Sequence, residues 1–403
     1  MTVLNVLNTL VIIAGVVLFT RSGVLADQLC LAGDFDSQLQ YILRKEMLST
    51  QDIANMSRLL DDMLPTLNKR WQGYEVLPFG SVTTGLGLKT SDADYYIRLQ
   101  NESSLDMLYV LEETYKLFKE QPSLYSDLSF RNNKRYTVFS FFHIPSQRNV
   151  GIFYKFGDVG VRNSELIKYY FNLDKRFLPL GRILKFWFVI HGISGFNGSL
   201  ANYAVYILIV YYLQQKNMAP SVHSLQRDSV SYFLDNWNMG FNEIPYNSTN
   251  TENIHQLLGG FFEYYSQFNF EEYIVSPFAG RPIHRSAFVD IHNFPKEFSS
   301  CKYNLKRSLQ LRIKNGLNIS TNICIQDTFQ HSVNTGEMTS HEDFKKFKSL
   351  IKSVARLFKE LPSDRFLRAF LTVGQYNETV INQNNITEDG IRKPEDCIDV
   401  TVT

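Results

Sequence analysis

A chain of 403 residues with a formal net charge of +1 is long enough for two ordinary domains and carries no global basic field that would advertise nucleic acid. Its hydrophobic content of 44% and aromatic content of 14% exclude a disordered chain. The four cysteines (Cys30, Cys301, Cys324, Cys397) form no C-x-x-C pair, which argues against a zinc site and a disulfide scaffold and for free buried thiols.

Residues 1–20 carry no charged side chain, and Val24-Leu25-Ala26 offers small residues of the kind a processing enzyme takes. No Lys or Arg precedes this apolar stretch, so residues 1–33 read as a segment of uncertain fate. A cytoplasmic protein is the expectation, with membrane or secretory routing by this segment as the alternative. From Asp34 to Trp71 apolar residues recur at helical spacing, and Ser49-Thr50-Gln51-Asp52 has the composition of a capped helix start. Leu105–Glu120 predicts another amphipathic helix with Leu108, Leu111, Tyr115 and Phe118 inward. Arg135–Phe156 turns β-like, and a hairpin with its turn at 146–149 is expected beside the preceding strand.

Between these elements lies the stretch from Leu77 to Leu99. Phe79-Gly80-Ser81 is a small turn whose backbone N–H groups and hydroxyl suit phosphate oxygens. Asp92 and Asp94 then precede Tyr95-Tyr96-Ile97-Arg98-Leu99, a run with strand character. Residues two apart on a strand share a face, so both carboxylates would aim at one spot. Two hard-oxygen ligands there suit a pair of divalent cations, Mg²⁺ or Mn²⁺, bridging nucleotide phosphates.

This arrangement, F-G-S followed by G-L and S-D-x-D, resembles the signature of the terminal uridylyltransferases and their poly(A) polymerase relatives. Further matches follow in the family's order: Asn163-Ser164, Leu184-Lys185-Phe186-Trp187, Leu200-Ala201-Asn202-Tyr203, the aromatic helix around Leu257–Tyr265, and Ile323–Gln330 with Asn334 beyond it. The fold implied is α/β (α+β), a polymerase-β-like nucleotidyltransferase palm with a mixed sheet over residues 34–160. A mostly helical central and poly(A)-polymerase-associated domain would span 161–361, followed by a tail at 362–403, with the nucleotide in the cleft between the domains. The function implied is metal-dependent, template-independent transfer of uridylate or adenylate from UTP or ATP to RNA 3′ ends by a monomer. By resemblance Asp92 and Asp94 are catalytic and hold the metal. Gly80, Ser81, Lys185 and Asn202 meet the triphosphate, Asn163 the ribose, and Tyr203 and Asp327 the base.

Four positions depart from the pattern. The third carboxylate, counted back eleven residues from Asn163, falls on Ile152; Asp158 is the nearest acid and is expected in a following loop. Val189 stands for a second lysine, Asn202 for a serine, and Val333 for the histidine of uridylyl-specific members, with His331 two residues early. A catalytically silent relative that binds RNA or protein is therefore the alternative. Lys302, Lys306, Arg307, Arg312 and Lys314 form a basic cluster, residues 218–250 read as loop with one short helix around Tyr232, and Phe344–Leu361 reads as a closing helix.

Overall fold

The computed structural model describes residues 31–100, 105–132, 137–155, 157–195, 198–290, 293–299 and 317–374. The apolar N-terminal stretch, the basic cluster at 302–314 and the end of the tail lie outside them.

Two helices lead, α1 (Phe35–Glu46) and α2 (Thr50–Asn68). Ser49 caps α2 in a reciprocal box, its side chain accepting from Asp52 N while Asp52 accepts from Ser49 N. The palm sheet follows: β1 (Tyr74–Phe79), β2 (Ala93–Leu99), β3 (Tyr125–Asn132), β4 (Thr137–His143) and β5 (Arg148–Phe153), in spatial order β1-β2-β5-β4-β3. Only β2 and β5 pair in parallel, with Asp94 beside Gly151 and Tyr95 beside Ile152. The expected hairpin is β4–β5, its turn two residues earlier than expected, at 144–147. Strand β3 was not anticipated. The helix α3 (Met107–Lys119) buries Leu111 and Phe118, whereas Leu108, expected inward, is 49% exposed.

The period of two assigns the faces of this sheet. Tyr95, Ile97, Phe139, Phe141, Val150 and Ile152 form one core with Leu59 and Met63 of α2 and Val110 and Phe118 of α3. Asp94, Tyr96, Arg98, Gly151 and Phe153 alternate onto the opposite face. There α4 (Gly157–Asn172) packs against β1 and β2. Gly157 lies against the Tyr96 ring and Gly160 against Phe79, close approaches that no side chain would allow.

The helical domain continues with α5 (Phe177–Ile190), α6 (Asn202–Gln215), α7 (Val222–Gln226), α8 (Ile254–Gln267), α9 (His341–Glu360) and α10 (Ser363–Thr372). Helix α6 is buried on all sides, as its apolar sequence demands. Helix α10, within the tail that showed no motif, buries Phe366, Leu367 and Phe370 and packs on α1, joining the first and last described helices. Tyr232 is not in a helix. It leads into a two-residue hairpin, Phe233–Leu234 against Trp237–Asn238, turned by Asp235 and Asn236, both at positive φ. Cys324 is a free, buried thiol pushed up to about 12 by burial.

Candidate active site

The loop from β1 to β2 is held on one side by the palm and on the other by α5. Gly80, at φ +77, lets the chain turn sharply after β1, and its N–H donates to Ser164 Oγ at 2.8 Å. Thr84 N returns to Gly80 O at 3.1 Å and Thr84 Oγ1 to Ser81 O at 3.2 Å, closing the turn with Ser81 half-buried on it. From the helical side Arg182 Nε donates to Gly85 O at 2.8 Å, and Lys185 Nζ to Ser91 Oγ at 3.1 Å.

Asp94 stands between two glycines. A β-carbon at Gly80 would lie 2.9 Å from its Oδ2, and one at Gly151 would lie 2.9 Å from its Oδ1. A β-carbon at either glycine would therefore push this carboxylate from its place. Burial, then the charge of Asp92, pushes Asp94 up to about 7, while Arg131 and Lys185 pull the other way. Lys185, 1% exposed, is brought down to about 7 by burial, against the pull of Asp94 and Asp92. Arg131 of β3 donates through Nε to Ser140 Oγ at 2.9 Å, and its Nη2 lies 3.5 Å from Asp92 Oδ2.

Strand β5 carries no acid. Ile152, where the spacing points, is fully buried in the core of the opposite face. On the face of Asp94, β5 presents Asn149, Gly151 and Phe153, an amide, a bare backbone and a ring. Asp158 lies in the first turn of α4 rather than in a loop, where Arg98 pairs with it and Tyr96 OH donates to it at 3.2 Å. Among the described residues no group of three or more His, Cys, Asp and Glu is placed to hold a metal ion. The two carboxylates still fit one divalent cation, since Mg²⁺ is commonly held by one or two carboxylates with phosphate oxygens and water completing its shell.

Across the cleft the remaining residues meet one another. Asn163 Nδ2 lies 3.5 Å from Asp327 Oδ2, and Thr328 Oγ1 lies 3.4 Å from Asn163 Oδ1. Tyr203 OH shares a 2.9 Å hydrogen bond with Thr328 Oγ1. Asp327 Oδ1 accepts from Phe329 N at 2.9 Å and Gln330 N at 2.8 Å, which shapes the loop. Asn202, first residue of α6, has a buried Oδ1 with no hydrogen-bond partner among the described residues; a half-turn of its amide would place an N–H donor there. Val189 packs at the margin of the helical core beside Gly195. His331 is buried against Phe278, Phe298 and Trp237 and is lowered to about 3 by burial, so it serves the core. Arg131 and Gly151 were given no role in the sequence, because they act through strand register, which no local motif encodes; Ser164 and Thr328 stood within matched stretches without a role of their own.

Residues 35–172 match the family model described as poly(A) RNA polymerase, mitochondrial-like, central palm domain, and residues 253–333 that of the Cid1 family poly A polymerase. Terminal uridylyltransferase 7 of Homo sapiens is 28% identical over 228 residues, covering 52% of this chain and 15% of that protein. Poly(A) RNA polymerase GLD2-A of Xenopus laevis is 29% identical over 218 residues, 51% of this chain and 42% of that one. The chain thus spans less than half the length of both relatives. Among solved structures, mtPAP in complex with ATPγS superposes with a TM-score of 0.71 at 18% identity, over 87% of this chain and 74% of that one. A cytoplasmic RNA terminal U-transferase superposes with a TM-score of 0.63 at 19% identity, over 83% and 97%. With palm, helical domain and motif order in agreement, the chain belongs to the terminal uridylyltransferase and poly(A) polymerase-like family of RNA nucleotidyltransferases.

Proposed function

We propose that this chain is a template-independent RNA 3′-terminal nucleotidyltransferase that takes uridylate or adenylate from a nucleoside triphosphate. The observation that carries the reading is Asp94, seated between Gly80 and Gly151 with Asp92 beside it and buried Lys185 reaching the same loop. Asp92 and Asp94 are the residues to hold a divalent cation, which when bound neutralises phosphate charge and polarises the α-phosphate. In this reading Ser81, Lys185 and the Asn202 amide meet the triphosphate, Asn163 the ribose and the Tyr203 ring the base. In the reaction the RNA 3′-oxygen bonds to the α-phosphorus and the bond from that phosphorus to the bridging oxygen breaks. Pyrophosphate leaves with the electron pair, and the hydroxyl proton passes to water. The protein's part is to orient the two substrates and fix the surrounding charge. That mtPAP has been crystallised with ATPγS, UTP, GTP and CTP supports a triphosphate in this cleft and leaves base choice open here.

A second reading, a catalytically silent relative that keeps the site and binds RNA or protein, is favoured by one observation: β5 offers no carboxylate on the face of Asp94. Primer extension separates the two. The full chain is given labelled RNA, Mg²⁺ or Mn²⁺ and each nucleoside triphosphate in turn, with Asp92→Ala/Asp94→Ala as control. Extension that vanishes in the control supports transfer; nucleotide binding without extension supports the silent reading.

A further inference from the structure

We infer that Arg131 supplies the second positive charge at the Asp92/Asp94 pair, so that the cleft takes a nucleoside triphosphate with one divalent cation rather than two. The inference rests on the reading of the cleft as a nucleotide site.

Three observations carry it. First, Arg131 is placed, not loose. Register puts it opposite Val138 on β4, on the face that carries Asp94, and its Nε donates to the buried Ser140 Oγ at 2.9 Å. That bond fixes the guanidinium so that Nη2 lies 3.5 Å from Asp92 Oδ2. Second, the position from which β5 would supply a third carboxylate is Gly151. It pairs with Asp94 across the parallel ladder, and a β-carbon there would point at Asp94 Oδ1. Third, the charges match. A third carboxylate with a second divalent cation would bring one net positive charge to the site, and a guanidinium brings the same. Arg131 and a bare Gly151 are thus an electrostatically equivalent solution that needs one ion fewer. A guanidinium is suited to the task, because it stays charged and can turn its free N–H groups toward phosphate oxygens.

The test counts ions. The full chain is saturated with α,β-methylene-UTP or α,β-methylene-ATP, neither of which can be transferred, and Mn²⁺ binding is measured by electron paramagnetic resonance. One Mn²⁺ per chain is expected in the wild type and two in Arg131→Gln/Gly151→Asp. Nucleotide affinity at fixed Mn²⁺ should fall about tenfold in Arg131→Gln. Arg281→Gln, on a remote surface pair with Glu297, should leave it unchanged. Two Mn²⁺ in the wild type, or an Arg131→Gln affinity within about twofold of it, overturns the inference and leaves the nucleotide site standing. Failure of both analogues to bind overturns the nucleotide reading and the inference with it. Unchanged melting of each variant by circular dichroism separates these results from loss of fold.

Discussion

The two sides of the cleft are built to opposite rules. On the helical side Asn163, Tyr203, Asp327 and Thr328 hold one another, and Asp327 also staples its own loop through two backbone N–H groups. On the palm side Asp94 is pressed between two glycines and shares its surroundings with a like charge. The first arrangement stabilises the fold with or without a ligand. The second costs stability, a cost that a bound cation would offset. Substitutions should therefore sort by side: polar losses on the helical side weaken the protein, and loss of the Asp94 charge strengthens it.

The largest effect tests the palm's own two faces. Ile152→Asp would put a carboxylate into the core beside Tyr95 and Phe139, and we expect a loss of about 4 kcal/mol or more, read by urea denaturation. Gly151→Asp, one residue away on the face of Asp94, should cost less, because its β-carbon meets the end of the Asp94 side chain rather than the apolar core. Equal losses would mean that the faces are not distinct. Next comes Asp327→Ala on the helical side. It strands the buried N–H of Phe329 and the half-buried N–H of Gln330, and a loss of about 2 kcal/mol is expected.

Asp94→Asn should move the other way. With the folded carboxyl raised from 3.8 to about 7, the unfolded chain binds fewer protons than the folded one in that window. Stability in metal-free buffer should then fall as pH rises from about 4 to 7. Asp94→Asn should flatten that slope and raise the melting temperature at pH 7.5 by a few degrees, on the order of 1 kcal/mol. A variant that melts lower than the wild type would contradict the picture of a strained carboxylate.

Much of the palm site was legible because its chemistry is local. Two acids at period two on a β-like run, behind a Gly-Ser turn, announce a shared face without any knowledge of the fold. What stayed hidden needed a partner. Counting back from Asn163 reached Ile152, but a count along the chain carries no face, and the register with β2 turns that side chain into the core. Arg131 was hidden because Tyr125–Asn132 reads as mixed polar sequence, and its pairing with β4 shifts register between Ser126 and Ser129, with Asp127 at φ 52. Tyr232 suggested a short helix, where Asp235 and Asn236 instead take the left-handed turn of a hairpin. The family resemblance named Asn163 and Asp327 separately; that they touch across 164 residues of chain is a property of packing alone.

The smallest effect is the sharpest test of the helical side, because one atom distinguishes its two possible duties. Tyr203 is held well above its ordinary pKa by burial and by Asp327, so its hydroxyl is a neutral partner of Thr328. Tyr203→Phe removes that hydrogen bond and keeps the ring. Thr328 Oγ1 retains Asn163 Oδ1 at 3.4 Å, so no buried group is orphaned and the loss should stay near 1 kcal/mol. If the network serves the fold and the ring serves the base, nucleotide affinity should be unchanged in Tyr203→Phe and fall in Tyr203→Ala, because stacking needs only the aromatic face. An affinity that falls already in Tyr203→Phe would mean that the hydroxyl leaves Thr328 to meet the ligand. The helical side would then be a set of partners waiting for a substrate, as the palm side is, and the contrast between them would be lost.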